Sequence, residues 1–196
     1  ACHILGTPNM ALRLTAPISV ECLKQEGKGK YTFPTRSVIR FDFPARGPMP
    51  PVKIFWYDGR LERPDIPGVP KEEMLGDPDI NGSLFIGDKG MVTTGCYGER
   101  TRLVPAAKMK DYKLPPQLLT RSPGHYRDWI RACKGGDPAC SNFSVAGPFV
   151  QWMLLGVLSM RFEGKLEWDA NNMRITNNPE ANRHLKPGFR KGWRFV

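Results

Sequence analysis

The chain is poor in the features that announce most enzyme classes. It has no GxxxxGK[ST] loop, and the nearest glycine-rich stretch, Gly27–Lys30, lacks the third glycine and the helix that a dinucleotide fingerprint opens. A nucleotide site built on either motif is therefore excluded from these residues. There is no GxSxG elbow, so the α/β-hydrolase arrangement is not encoded here. No CxxC pair occurs, and the histidines at 3, 125 and 184 are far apart, which leaves zinc without a recognisable ligand set and no metal expected. Five cysteines without a repeating spacing do not make a disulfide framework. Cys133 and Cys140 bracket a short loop and are spaced to pair, although reduced thiols are the expectation. The longest apolar stretch, Ala146–Met160, falls short of the roughly 20 residues a membrane crossing requires. It reads as a buried core helix, hydrophobic on nearly every side and needing neighbours on nearly every side.

What is present is a chain of 196 residues, enough for one sizeable domain, with 40% hydrophobic content. Lysine and arginine total 29 against 19 acidic residues, a net charge of +10, but the basic residues are spread along the chain. Basic residues do interleave with aromatics at the end: Arg183, Lys186, Arg190, Lys191 and Arg194 with His184, Phe189, Trp193 and Phe195. Without a nucleic-acid fold pattern beside it, this cluster reads as a terminal segment that docks Trp193 and Phe195 on the domain. No nucleic-acid partner is expected.

The order of elements follows from periodicity. Ile4, Leu5, Met10, Leu12 and Leu14 fit an opening helix, disturbed by Gly6 and Pro8 and ended by Pro17. No initiator methionine precedes ACHILGTPNMAL, and the expectation is a piece of a longer protein. Ile18, Val20 and Cys22 alternate with Ser19 and Glu21. Ile39, Phe41 and Phe43 alternate with Val38, Arg40 and Asp42, and Val52, Ile54 and Trp56 with Lys53, Phe55 and Tyr57. Residues 58–82, rich in proline and glycine, form a long irregular loop. SLFIGDKGMVTTG is the clearest hairpin, turning at Gly87–Gly90, and Thr101–Val104 adds a short strand.

In HYRDWIRACKGG, residues Tyr126, Trp129, Ile130 and Cys133 share one helical face, with Arg127, Asp128, Arg131 and Lys134 turned outward. Ser122 or Gly124 caps that helix. Lys165–Trp168 is a last strand. Asn81-Gly-Ser and Asn142-Phe-Ser match the glycosylation pattern but read as turns. Strands in succession followed by helices predict an α+β fold: a large, mainly antiparallel open sheet with helices packed on one face.

Two histidines stand out chemically. Imidazole titrates near neutral pH, so a histidine can take the proton of a hydroxyl being oxidised. His3 is either that proton acceptor or a structural helix-end residue; His125, just ahead of a helix, is either a cap or a substrate contact. Trp56, Tyr57 and Arg60 sit where a strand enters the long loop. They read as sugar contacts, through aromatic faces and guanidinium donors, or as core packing beside a solvated charge.

The segments ACHILGTPNMAL, WYDG, SLFIGDKGMVTTGCYGE, HYRDWIRACKGG, NFSVAGP with LLG, LEWD, and NNPEAN with GW together resemble the glucose–fructose oxidoreductase/inositol dehydrogenase/MocA family. Specifically, the chain is similar to the C-terminal domain of a bacterial subgroup of its sugar-type dehydrogenases. The resemblance implies a substrate-binding and oligomerisation domain whose parent uses NAD or NADP held by an N-terminal Rossmann domain. The family's DxxxH pair would place its histidine at His3, with the aspartate, the family lysine and the glycine-rich loop outside this sequence. The fragment alone would then bind no cofactor and be inactive. A sugar-like substrate and a homo-oligomer formed through the sheet face are the implied partners.

One departure bears on the reaction. Gln151-Trp152 follows AGP where relatives often carry a carboxylate. Members that cleave glycosides by transient oxidation therefore remain an alternative, as does a non-catalytic assembly or carbohydrate-binding module.

Overall fold

A computed structural model of the chain describes residues 1–59, 64–70, 73, 81–186 and 188–193. The class is α+β, with antiparallel open sheets and, among the described residues, four α-helices. The strands of the described residues form two sheets, of five and three strands. The chain divides into two compact units: residues 1–11 with 64–150, and residues 12–63 with 151–196.

The second unit holds the five-stranded sheet. Its strands are β1 (Ser19–Glu26), β2 (Arg36–Phe43), β3 (Val52–Asp58), β7 (Leu166–Asp169) and β8 (Arg174–Ile175), in the order β3-β2-β1-β7-β8. The period-two alternation sets the faces as expected on β2 and β3, whereas Ile18, grouped with Val20 and Cys22 by the same period, lies ahead of β1 and is exposed. Val20 pairs with Phe41 and Phe41 with Ile54, so these side chains line one face, where Ile39, Phe41 and Phe43 are buried. A register shift between Cys22 and Lys24 sends Leu23 outward, partly exposed. Burial also pushes the Cys22 thiol pKa up.

Helix α3 (Phe143–Ser159) packs its second half on that face. Trp152 is 1% exposed and meets Phe41 and Phe43 edge-on, with ring centroids 5.1 and 5.4 Å apart. Gly156 lets the helix approach: a Cβ there would stand 2.6 Å from Phe41 Cζ. The opposite face of the sheet is polar. Arg40 reaches the Glu21 carboxylate at 2.9 Å and Asp42 at 3.3 Å, and Asp42 accepts the Ser19 hydroxyl at 2.9 Å.

After β8 comes a short helix, α4 (Pro179–Asn182), which the polar composition of the tail conceals. Asn178 caps it by accepting the Ala181 N–H, and the Asn182 side chain pairs with both backbone groups of Ile175. Trp193 is exposed and stacks on Arg190, so it does not anchor the tail as expected; Phe195 lies outside the described residues.

The first unit holds α1 (Cys2–Ala11), β4 (Gly82–Gly87), β5 (Gly90–Gly95), β6 (Arg102–Val104), α2 (His125–Cys133) and the opening turns of α3. The hairpin closes on Asp88-Lys89 as the sequence predicts, and β6 extends it to three strands. Helix α1 runs through Pro8. A proline has no N–H to give the carbonyl four residues earlier, and that carbonyl, Ile4 O, takes the Ser83 hydroxyl at 3.5 Å instead. The helix ends at Ala11, earlier than Pro17, and Leu12 and Leu14 lie beyond it.

Two helical faces differ from the expectation. On α2 the stripe Tyr126, Trp129 and Ile130 is exposed, and the buried residue is Asp128. Its carboxylate accepts the Cys140 backbone N–H at 2.8 Å and an Arg131 guanidinium N–H at 2.6 Å, so the fold spends this face on latching the loop after α2. On α3 the residues Val150, Leu154 and Val157, opposite Trp152 and Leu155, are also exposed, so the helix is two-faced rather than buried all round.

Helix α3 starts at Phe143, ahead of Ala146, because Asn142 caps it by accepting the Ser144 N–H at 2.9 Å. The amide of Asn142 donates to Ala139 O at 2.9 Å, which makes this sequon a cap. We expect Asp128→Ala to destabilise the α2 latch by about 2 kcal/mol, since a charge-assisted bond is lost and the Cys140 N–H is left without its acceptor. Faster hydrogen exchange at the Cys140 amide would register it, and unchanged exchange would count against the latch.

Candidate functional site

His3 lies in the first turn of α1, with its side chain exposed. Its imidazole faces the ring of Tyr97 at 5.1 Å between centroids, tilted by 55°. Both belong to the first unit. Tyr97 sits in the turn that follows β5, and that turn is tightly fastened. The Tyr97 N–H donates to the Glu99 carboxylate at 2.7 Å, and the Gly95 N–H donates to Glu99 O at 2.8 Å. Thr101 donates its hydroxyl to Gly98 O at 2.9 Å. Gly98 itself, at φ +82°, takes a left-handed conformation that a side chain would strain. The result is an exposed imidazole and an exposed phenol presented side by side from two fixed elements.

His125 begins α2, in the same unit, and its ring partner is Tyr126, with centroids 5.2 Å apart. It is not the cap: Gly124 holds that position, without a capping side-chain hydrogen bond.

Trp56 and Tyr57 belong to the other unit. Both are half-buried on β3, paired in register with Ile39 and Val38. Burial raises the Tyr57 pKa, which keeps its hydroxyl protonated and able to donate. Arg60 lies outside the described residues. The ring brought to His3 is thus Tyr97, which sequence reading passed over; the aromatic inside TTGCYGE, flanked by Gly95 and Gly98, was the available signal.

The five cysteines are free, and Cys140 is engaged with Asp128. Among the described residues no group of three or more His, Cys, Asp or Glu side chains could hold a metal, and no helix is long and apolar enough to cross a membrane.

Fold and site together define an α+β chain with antiparallel sheets and an exposed histidine–tyrosine pair in the unit that holds the smaller sheet. No protein-family model matches the chain, and no curated protein does.

Proposed function

We propose that this chain is the substrate-binding and oligomerisation domain of an NAD- or NADP-dependent oxidoreductase acting on a hydroxyl of a sugar or sugar derivative. The observation that carries the reading is the arrangement around His3. Three of the segments that resemble the glucose–fructose oxidoreductase/inositol dehydrogenase/MocA family contain His3, Tyr97 and His125, and all three fall in one compact unit. The histidine assigned to proton transfer is open to an incoming molecule rather than consumed in a core.

The residues of this chain do not fit a dinucleotide: the sequence has no GxGxxG, and among the described residues no glycine-rich turn leads from a strand into a helix with the required spacing. Cofactor binding is accordingly assigned to a nucleotide-binding domain outside these residues. What the chain supplies is the imidazole that takes the hydroxyl proton, together with the surface that holds the sugar. The exposed apolar stripe of α2, Tyr126, Trp129 and Ile130, fits a domain that needs covering by another.

A second reading, assembly through a sheet face, is favoured by the polar side of the five-stranded sheet. Glu21, Arg40, Asp42 and Lys53 mix both charges there beside a partly exposed Phe55, a pattern that a two-fold copy can complement. Expression of the complete reading frame, followed by titration with NADH and NADPH and a sugar panel monitored by nicotinamide absorbance, tests the first reading. Sedimentation of the same preparation tests the second. Failure to bind either nucleotide would sink the oxidoreductase, and a monomer at micromolar concentration would remove the assembly.

A further inference from the structure

We infer that Tyr97 is a positioning residue for His3, a role that rests on the reading of His3 as proton acceptor. A proton acceptor works only from a narrow range of positions, and misplacement by about 1 Å can cost 10²-fold in rate. An exposed side chain in the first turn of a helix has no packing to fix its rotamer, and ordering it costs side-chain entropy. A tilted ring neighbour offsets that cost. Tyr97 is that neighbour, and at 73% exposure its ring makes little contribution to any core.

Both supports are fixed independently of the pair. On one side, α1 is held by buried Leu5 and Pro8 and by the Ile4–Ser83 bond. On the other, the Gly95–Thr101 turn is held by Glu99, Thr94 and Thr101, with Gly98 at its left-handed corner and Thr7 of α1 close to that glycine. The turn therefore aims Tyr97 at His3, and the ring contact limits the directions in which the imidazole can meet a hydroxyl.

The test uses the protein expressed from its complete reading frame, with Tyr97→Ala and Tyr97→Phe. Tyr97→Ala should lower kcat about tenfold with KM changed less than about twofold, since orientation and not substrate binding is lost. Tyr97→Phe keeps the ring and should restore the wild-type kcat. In NMR spectra the His3 ring protons should lose their ring-current shift in Tyr97→Ala and keep it in Tyr97→Phe. Wild-type turnover with an unchanged kcat in Tyr97→Ala overturns the positioning role. So does a rise in KM alone, which would make Tyr97 a sugar platform instead. Absence of turnover by the wild-type protein overturns the oxidoreductase reading and this role with it.

Discussion

Replacing Trp152 with alanine is expected to destabilise the five-stranded unit by about 3–5 kcal/mol, the range for deleting a large aromatic from a packed interior. The indole is 1% exposed and its ring is met edge-on by Phe41 and Phe43. Those two rings come from adjacent inward positions on β2 and cannot follow the helix inward, because Gly156 already brings α3 against Phe41. The site therefore collapses little and the cavity remains. Urea unfolding followed by the near-ultraviolet signal of the aromatic cluster measures the loss. Trp152→Phe, which keeps part of the volume and an edge for stacking, should cost less than half as much. A Trp152→Ala loss below about 1 kcal/mol would mean that α3 does not seat on this sheet.

His3→Ala in the protein from the complete reading frame is expected to lower kcat by about 10²–10⁴-fold, the usual share of a positioned acid–base group. Nucleotide affinity should be unchanged, because no dinucleotide contact is assigned to this chain. The fold should tolerate the change: the side chain is exposed, and α1 is held through Leu5 and Pro8. Circular dichroism and the melting temperature, matched to wild type, separate a chemical loss from a structural one. A variant that keeps its rate would show that His3 is a helix-end residue and that the proton goes elsewhere.

Trp152 and His3 differ in how far the sequence marks them. Trp152 is legible only as a member of an apolar run, whereas the strand it packs on is legible residue by residue. Ile39, Phe41 and Phe43 follow a period of two, and in a pleated strand a period of two leaves no choice of face. The same holds for the β4–β5 hairpin, where Gly87-Asp88-Lys89-Gly90 allows one register. His3 was legible by its chemistry and its segment, but its neighbour was not. Tyr97 is far from His3 in sequence, and no local pattern ties a turn after a strand to the first turn of an opening helix.

Local chemistry and period thus determined the α+β class, strands β2 and β3 with their inward residues, the β4–β5 hairpin and the candidate proton acceptor. Tertiary structure alone decided three further matters. The strands divide into two sheets, which side-chain period cannot reveal because it is blind to which strand pairs with which. Asp128 is the buried residue of α2, where a backbone N–H and a guanidinium satisfy its carboxylate. And His3 meets Tyr97, because the two elements that carry them are each fixed by contacts of their own. A helical stripe shows that a face can be covered; what covers it depends on the rest of the chain and its partners.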